Sequence, residues 1–152
     1  MSSKCFVINE WLFSDLRGEN GNEKSVESFE FLKKLIHNRD RIAVLYGSPW
    51  LKKAYDLMAV KDRGIKTISR FLHKRVLLDS HICLYIHPND SNEIDEEIRK
   101  QIPDDDLYLI KTYLYSKADA FITTDQRLIN AISCIKTLNI ILVHRDDFLK
   151  DY

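Results

Sequence analysis

The sequence predicts an α/β domain built as a three-layer α/β/α sandwich with a mostly parallel central sheet. Three observations lead there. Short apolar, β-rich segments alternate along the chain with segments of helical period, the pattern of helices covering both faces of a parallel sheet. The length of 152 residues fits one domain, 1–152, with enough chain to bury a core. No internal repeat is visible, and four glycines and three prolines leave no room for a flexible linker.

Cys5-Phe-Val-Ile8 reads as a buried first strand ending at Asn9-Glu10. Trp11 to Leu16 begins a helix, and Arg17 to Asn22 is a polar loop. From Glu23 the period changes: Val26, Phe29, Leu32 and Ile36 fall on one stripe, which predicts an amphipathic helix of about four turns. Ile42 to Tyr46 is the second strand. Ser48 then caps a helix that has Pro49 at its first position and Leu51, Ala54, Tyr55 and Met58 on its apolar face. A further helix runs around Ile65, Ile68, Phe71 and Leu72. Val76–Leu78 and Ile82–Ile86 read as strand material interrupted at Asp79-Ser-His81. Glu93 to Lys100 is a short charged helix. Asp104-Asp-Asp106 opens another, with Leu107, Ile110 and Leu114 pointing inward. Ala120–Thr123 is an apolar strand ending at Thr124-Asp125, followed by a helix through Leu128, Ile129 and Ile132 and a last strand, Ile140–Val143.

Composition narrows the function classes. Hydrophobic residues make up 45% and charged residues 30%, as in ordinary globular proteins. No stretch approaches the roughly 18 apolar residues that span a bilayer. The first residues lack a signal peptide's long apolar region, so a cytoplasmic protein with no membrane partner is expected. Cys5, Cys83 and Cys134 are odd in number, without a CxxC pair, and are expected to be small buried hydrophobes. The five histidines show no zinc-ligand spacing.

The net charge is zero, which argues against strong non-specific nucleic-acid binding by the whole molecule. The distribution is uneven. Lys61, Arg63, Lys66, Arg70, Lys74 and Arg75 face one acid, Asp62. Asp90, Glu93, Asp95, Glu96, Glu97 and Asp104–Asp106 face only Arg99 and Lys100. A basic helix beside an acidic pocket suits a protein that holds phosphate and a cation.

In an open parallel sheet, ligands bind at the carboxyl ends of strands. Asn9-Glu10 and Thr123-Thr124-Asp125 sit at two such ends, and Asp104–Asp106 adds carboxylates about twenty residues upstream. Carboxylates that converge repel one another unless a cation neutralises them, which points to Mg²⁺ or Mn²⁺. Aspartates at helix starts also serve as caps and dipole partners, so each fragment alone is weak and their order and spacing carry the reading.

The segment Ile102 to Asp125 resembles the C-terminal half of PIN domains: an acidic helix start, a helix, an Ala118-Asp119 turn, an apolar strand and a Thr-x-Asp terminus. The tail Ile140 to Leu149 is similar to the last strand and closing turn of that family. The match is good over about residues 102–149 and topologically compatible over 5–60. The resemblance implies a PIN-like fold and a metal-dependent endoribonuclease that hydrolyses RNA phosphodiesters with carboxylate-bound Mg²⁺ or Mn²⁺. It implies RNA as partner and, for the toxin of a toxin–antitoxin pair, an antitoxin or other protein partner; a homo-oligomer is a further expectation. Carried over by position, Asp125 is the strand-end acid and Asp105 or Asp106 the helix-start acid, all three as metal ligands. Asn9 stands in the catalytic set where the family has Asp. Glu10 is expected on the opposite face of the strand if the strand continues to it. For the usual acid on the intervening helix, Asp15 and Asp56 are the available substitutes. Lys66, Arg70 and Lys74 are expected to bind RNA phosphates, with Tyr108 and Tyr115 as further candidates for RNA or partner contact.

Two competing readings remain from the residues. A PIN-fold module with a degraded site would bind RNA or a protein without cutting, and Asn9 favours that. A receiver-like domain would need an acidic pair after the first strand and a Lys at a late strand end, where this chain has His144.

Overall fold

The four residues Cys5–Ile8 form β1, the middle strand of a five-stranded sheet of order β3-β2-β1-β4-β5 in which every neighbouring pair is parallel. The computed structural model describes residues 3–88 and 94–152. Asp90 and Glu93, and with Glu93 the start of the charged helix expected from that residue, lie outside the described residues. The other strands are β2 (Arg41–Leu45), β3 (Cys83–Ile86), β4 (Ala120–Thr123) and β5 (Leu142–His144). The helices are α1 (Trp11–Leu16), α2 (Asn22–Asn38), α3 (Pro49–Met58), α4 (Arg63–Phe71), α5 (Glu96–Arg99), α6 (Leu107–Ser116), α7 (Gln126–Ser133) and α8 (Arg145–Asp151). A 3₁₀ turn over Asp104–Asp106 leads into α6.

β1 and β4 read as continuous apolar runs because central parallel strands are covered on both faces. Phe6, Val7 and Ile8 are buried, and all four residues of β4 are. One face carries α2 and α8: Phe6 meets Phe148 and Tyr152 edge-on, and Phe31 meets the same two rings. The helix α6 packs along β1, β2 and β3 and forms the other layer. The Ala118-Asp119 turn ties β4 to β1, since Asp119 N–H donates to the Cys5 carbonyl and Cys5 N–H to Asp119 Oδ2, both at 2.7 Å.

Several expectations were corrected by packing. Val76–Leu78 is not a strand. The α4 helix runs on into a π-helical turn over Leu72–Leu77, closed by Leu78 N–H to the His73 carbonyl at 2.9 Å. Leu72, Val76 and Leu77 are buried in it, while Leu78 is 67% exposed. The Asp79 carbonyl then accepts from Ile82 and Cys83, so β3 starts only there. In α2 the buried face is Ser28, Phe31, Leu32 and Leu35, and Val26 is exposed. The inward polar Ser28 rotates the face away from the stripe that hydrophobicity alone suggests. In α3, Ser48 caps and Pro49 leads as expected, but Trp50 and Leu57 are buried and Tyr55 is exposed. The last strand starts at Leu142, because Ile141 points outward and its N–H donates to Tyr113 Oη at 3.1 Å. Of the cysteines, Cys83 is buried and Cys5 half-buried, but Cys134 at the end of α7 is exposed. Among the described residues no helix is long and apolar enough to cross a membrane.

Candidate functional site

The connections out of β1 and β4 leave in opposite directions along the sheet, toward β2 and toward β5. That is the switch point where open α/β sheets hold ligands. Asn9-Glu10 follows β1 there, and Thr124-Asp125 follows β4. The two turns are stitched together. Asn9 N–H donates to the Ile122 carbonyl, and Asn9 Nδ2 donates to Thr123 Oγ1, both at 3.0 Å. Thr123, fully buried, also accepts Asp125 N–H at 3.1 Å. Asp125 Oδ1 caps α7 by accepting Arg127 N–H at 3.0 Å and Leu128 N–H at 3.2 Å.

Glu10 lies in this crevice, because the condition for the opposite face, a continuing strand, is not met. The strand ends at Ile8, and Glu10 already has helical backbone angles as the residue before α1. Its side chain therefore no longer follows strand alternation. Glu10 Oε1 accepts the Tyr108 hydroxyl at 3.2 Å, and its other oxygen pairs with Lys53 Nζ. Burial raises the Tyr108 pKa first, and the Glu10 charge raises it further, so the phenol stays protonated as a donor. Sequence reasoning missed Glu10 and Lys53 as members of this place. The signal for Glu10 was the helix expected from Trp11, which ends strand alternation before it.

Of the three consecutive aspartates, Asp104 and Asp105 are exposed and Asp106 is half-buried. Partial burial raises the Asp106 pKa, and the charges of Asp125, Asp105 and Glu10 raise it further, in that order. Four carboxylates thus share one neighbourhood at the carboxyl end of the sheet.

Asp15 is elsewhere in function. It is buried and accepts from Asn20 Nδ2, Ser28 Oγ and Arg145 Nε, each at 2.7 Å. Its charge is spent on holding Arg145. Asp56 lines a cleft of about 220 Å³ with Glu10, Arg17 and Lys53, so of the two substitutes it is the one near the crevice. Lys66 is half-buried, Arg70 and Lys74 are exposed, and among the described residues no ion pair joins any of them to the acids. Tyr115 is exposed in the last turn of α6, while Tyr108 in the first turn is engaged with Glu10.

The donors suit a hard divalent cation in kind, since they are carboxylate, amide and hydroxyl oxygens. Among the described residues no three His, Cys, Asp or Glu side chains gather closely enough to form a ready-made cage. Mg²⁺ does not need one: it keeps several waters and is commonly held by one or two carboxylates together with substrate phosphate.

No protein-family model matches the sequence, and no curated protein matches it. Among solved structures, the fold is similar to a chain in the crystal structure of VapBC2 from Rickettsia felis bound to a DNA fragment from their promoter. The TM-score is 0.50 at 13% identity, covering 92% of this chain and 98% of that one, a likeness of fold.

Proposed function

We propose that this chain is a PIN-type, metal-dependent endoribonuclease that hydrolyses RNA phosphodiesters in the crevice between β1 and β4. The observation that carries the reading is the meeting of the β1 and β4 ends at the switch point, where Asn9 and Thr123 present Asp125 and where burial first, then the charges of Asp125, Asp105 and Glu10, raise the Asp106 pKa. The resemblance of residues 102–149 to PIN domains and the fold likeness to VapBC2 support it.

In this reading Asp106 and Asp125 would hold Mg²⁺ or Mn²⁺, with Asp105 at the rim. The bound ion supplies positive charge against the scissile phosphate and lowers the pKa of water. The chain's own groups do the rest. Asn9 fixes the Thr123 hydroxyl, which fixes the turn that presents Asp125. Tyr108, kept protonated, donates to Glu10 and holds it at the crevice wall. Lys53 supplies an ammonium beside the acids that can meet a phosphate oxygen. The basic residues Lys66, Arg70 and Lys74 guide the RNA strand. The toxin form of the PIN resemblance adds a protein partner of antitoxin type to the same proposal.

The test is cleavage of single-stranded RNA by the purified chain with Mg²⁺, Mn²⁺ or EDTA. Cleavage that needs the ion and disappears in both Asp106→Asn and Asp125→Asn supports the proposal. Absence of cleavage together with absence of divalent-ion binding sinks it.

One observation favours a second reading, a module that binds RNA or protein without cutting. Asn9 is neutral where the family has Asp, and the Lys53 ammonium already balances Glu10. Divalent-ion binding and cleavage that appear only in Asn9→Asp combined with Lys53→Gln would select this reading.

A further inference from the structure

At the opposite end of the sheet, where β2 and β3 begin, lies a cavity of about 750 Å³ lined by Arg39, Arg41, His81, Asp79 and their neighbours. We propose that this cleft is an anion site that binds the phosphate group of a nucleotide-sized ligand, separate from the acidic crevice.

Three observations carry it. Arg41 opens β2, and its Nε is buried with no hydrogen-bond partner among the described residues. A buried guanidinium N–H left unpaired is unfavourable, so the Arg41 side chain, which lines the cleft, is not held in place by a partner within the chain at this atom and gains by turning to an acceptor there. Arg39 holds the left-handed conformation at φ 58°, just past the end of α2, where glycine or asparagine is the usual occupant. An arginine kept there at a conformational cost places an exposed cationic side chain at the mouth of the cleft. The third observation is charge. Neither arginine forms an ion pair among the described residues. The nearby acids are occupied: Asp40 accepts Lys4 N–H and the Tyr152 hydroxyl, and Asp79 accepts His81 N–H at 2.9 Å.

Two guanidinium groups from different elements, facing one cavity, match the oxygens of a phosphate group, which arginine binds in a bidentate fork. The volume falls in the range of small-molecule sites, roughly 300–1,000 Å³, and exceeds what a lone phosphate needs.

The test is titration calorimetry of the full chain in EDTA, so that the acidic crevice holds no cation, with inorganic phosphate, adenosine monophosphate and adenosine. Phosphate and the monophosphate should bind, and adenosine should not. Tighter binding of the monophosphate marks a nucleotide as ligand; equal binding marks free phosphate and overturns the nucleotide-sized part of the proposal. Arg41→Gln should weaken binding by about tenfold or more, the loss of a charge-assisted hydrogen bond. Arg39→Gly should also weaken binding while raising the urea midpoint, because glycine relieves the left-handed strain. That opposite movement separates a role in ligand binding from general damage. Failure of the wild type to bind phosphate, or binding by Arg39→Gly equal to wild type, overturns the proposal.

Discussion

Arg145, at the start of the last helix, donates from Nε to Asp15 Oδ2, in the first helix, at 2.7 Å, with both side chains withdrawn from solvent. The guanidinium also reaches Asp146 at 2.8 Å, the Lys24 carbonyl and Ser28, and lies over the Trp11 ring at 5.4 Å. A buried pair of this kind is weak evidence of net stabilisation, but breaking it strands a charge in the interior. Arg145→Ala should therefore destabilise the fold by about 3–5 kcal/mol, read from urea unfolding. Replacing both partners, Asp15→Leu with Arg145→Met, should recover much of that loss. A double variant as unstable as Arg145→Ala would place the weight on the other partners of Arg145.

Asp106 gives a pH signature. Its folded-state pKa is raised above the ordinary 3.8, chiefly by burial and then by Asp125. The stabilisation linked to its protonated form is complete below that ordinary value and is lost as pH rises through the raised one. Asp106→Asn cannot ionise, so its urea midpoint should exceed that of wild type at pH 7 and the difference should close as pH falls below the ordinary value of 3.8. Mg²⁺ should raise the wild-type midpoint and leave that of Asp106→Asn nearly unchanged.

Asp125 has two roles that one substitution separates. The amide oxygen of Asp125→Asn can still accept the Arg127 and Leu128 N–H groups, so the cap on α7 survives. Its charge is gone, and the divalent-ion-dependent cleavage proposed for this chain should be lost with it. Asp125→Ala should lose the cap as well, at about 1 kcal/mol. Thermal unfolding beside an RNA cleavage assay distinguishes the pair, and an active Asp125→Asn would remove this residue from the ion site.

For Lys66 and Arg70, one helical turn apart on α4, charge reversal of both should weaken RNA binding. The slope of log affinity against log salt should fall by about 0.7 for each phosphate of a single strand that is no longer neutralised. An unchanged slope would make this basic face a solvated surface, and Lys53 the cation that matters at the crevice.

The sequence by itself determined what is settled within a few residues along the chain. The apolar runs of β1 and β4, the helical period that follows each strand, and the Ser48-Pro49 helix start are local facts, because caps and side-chain periods act over one turn or one pleat. From them came the alternation of strands and helices and hence the parallel sandwich. The same local rules erred where tertiary packing overrode them: at Val76–Leu78, drawn into a π-helical turn against the core, and at Val26, left outside when Ser28 turned inward. Only the tertiary structure decided which charges meet. Asn9 reaches Thr123 across 114 residues, and Tyr108 reaches Glu10 across 98. Asp15 is claimed by Arg145 across 130, so an acid that looked available is not. Such pairings follow from strand order and from the direction in which each strand hands over to its helix, and no spacing along the chain encodes them.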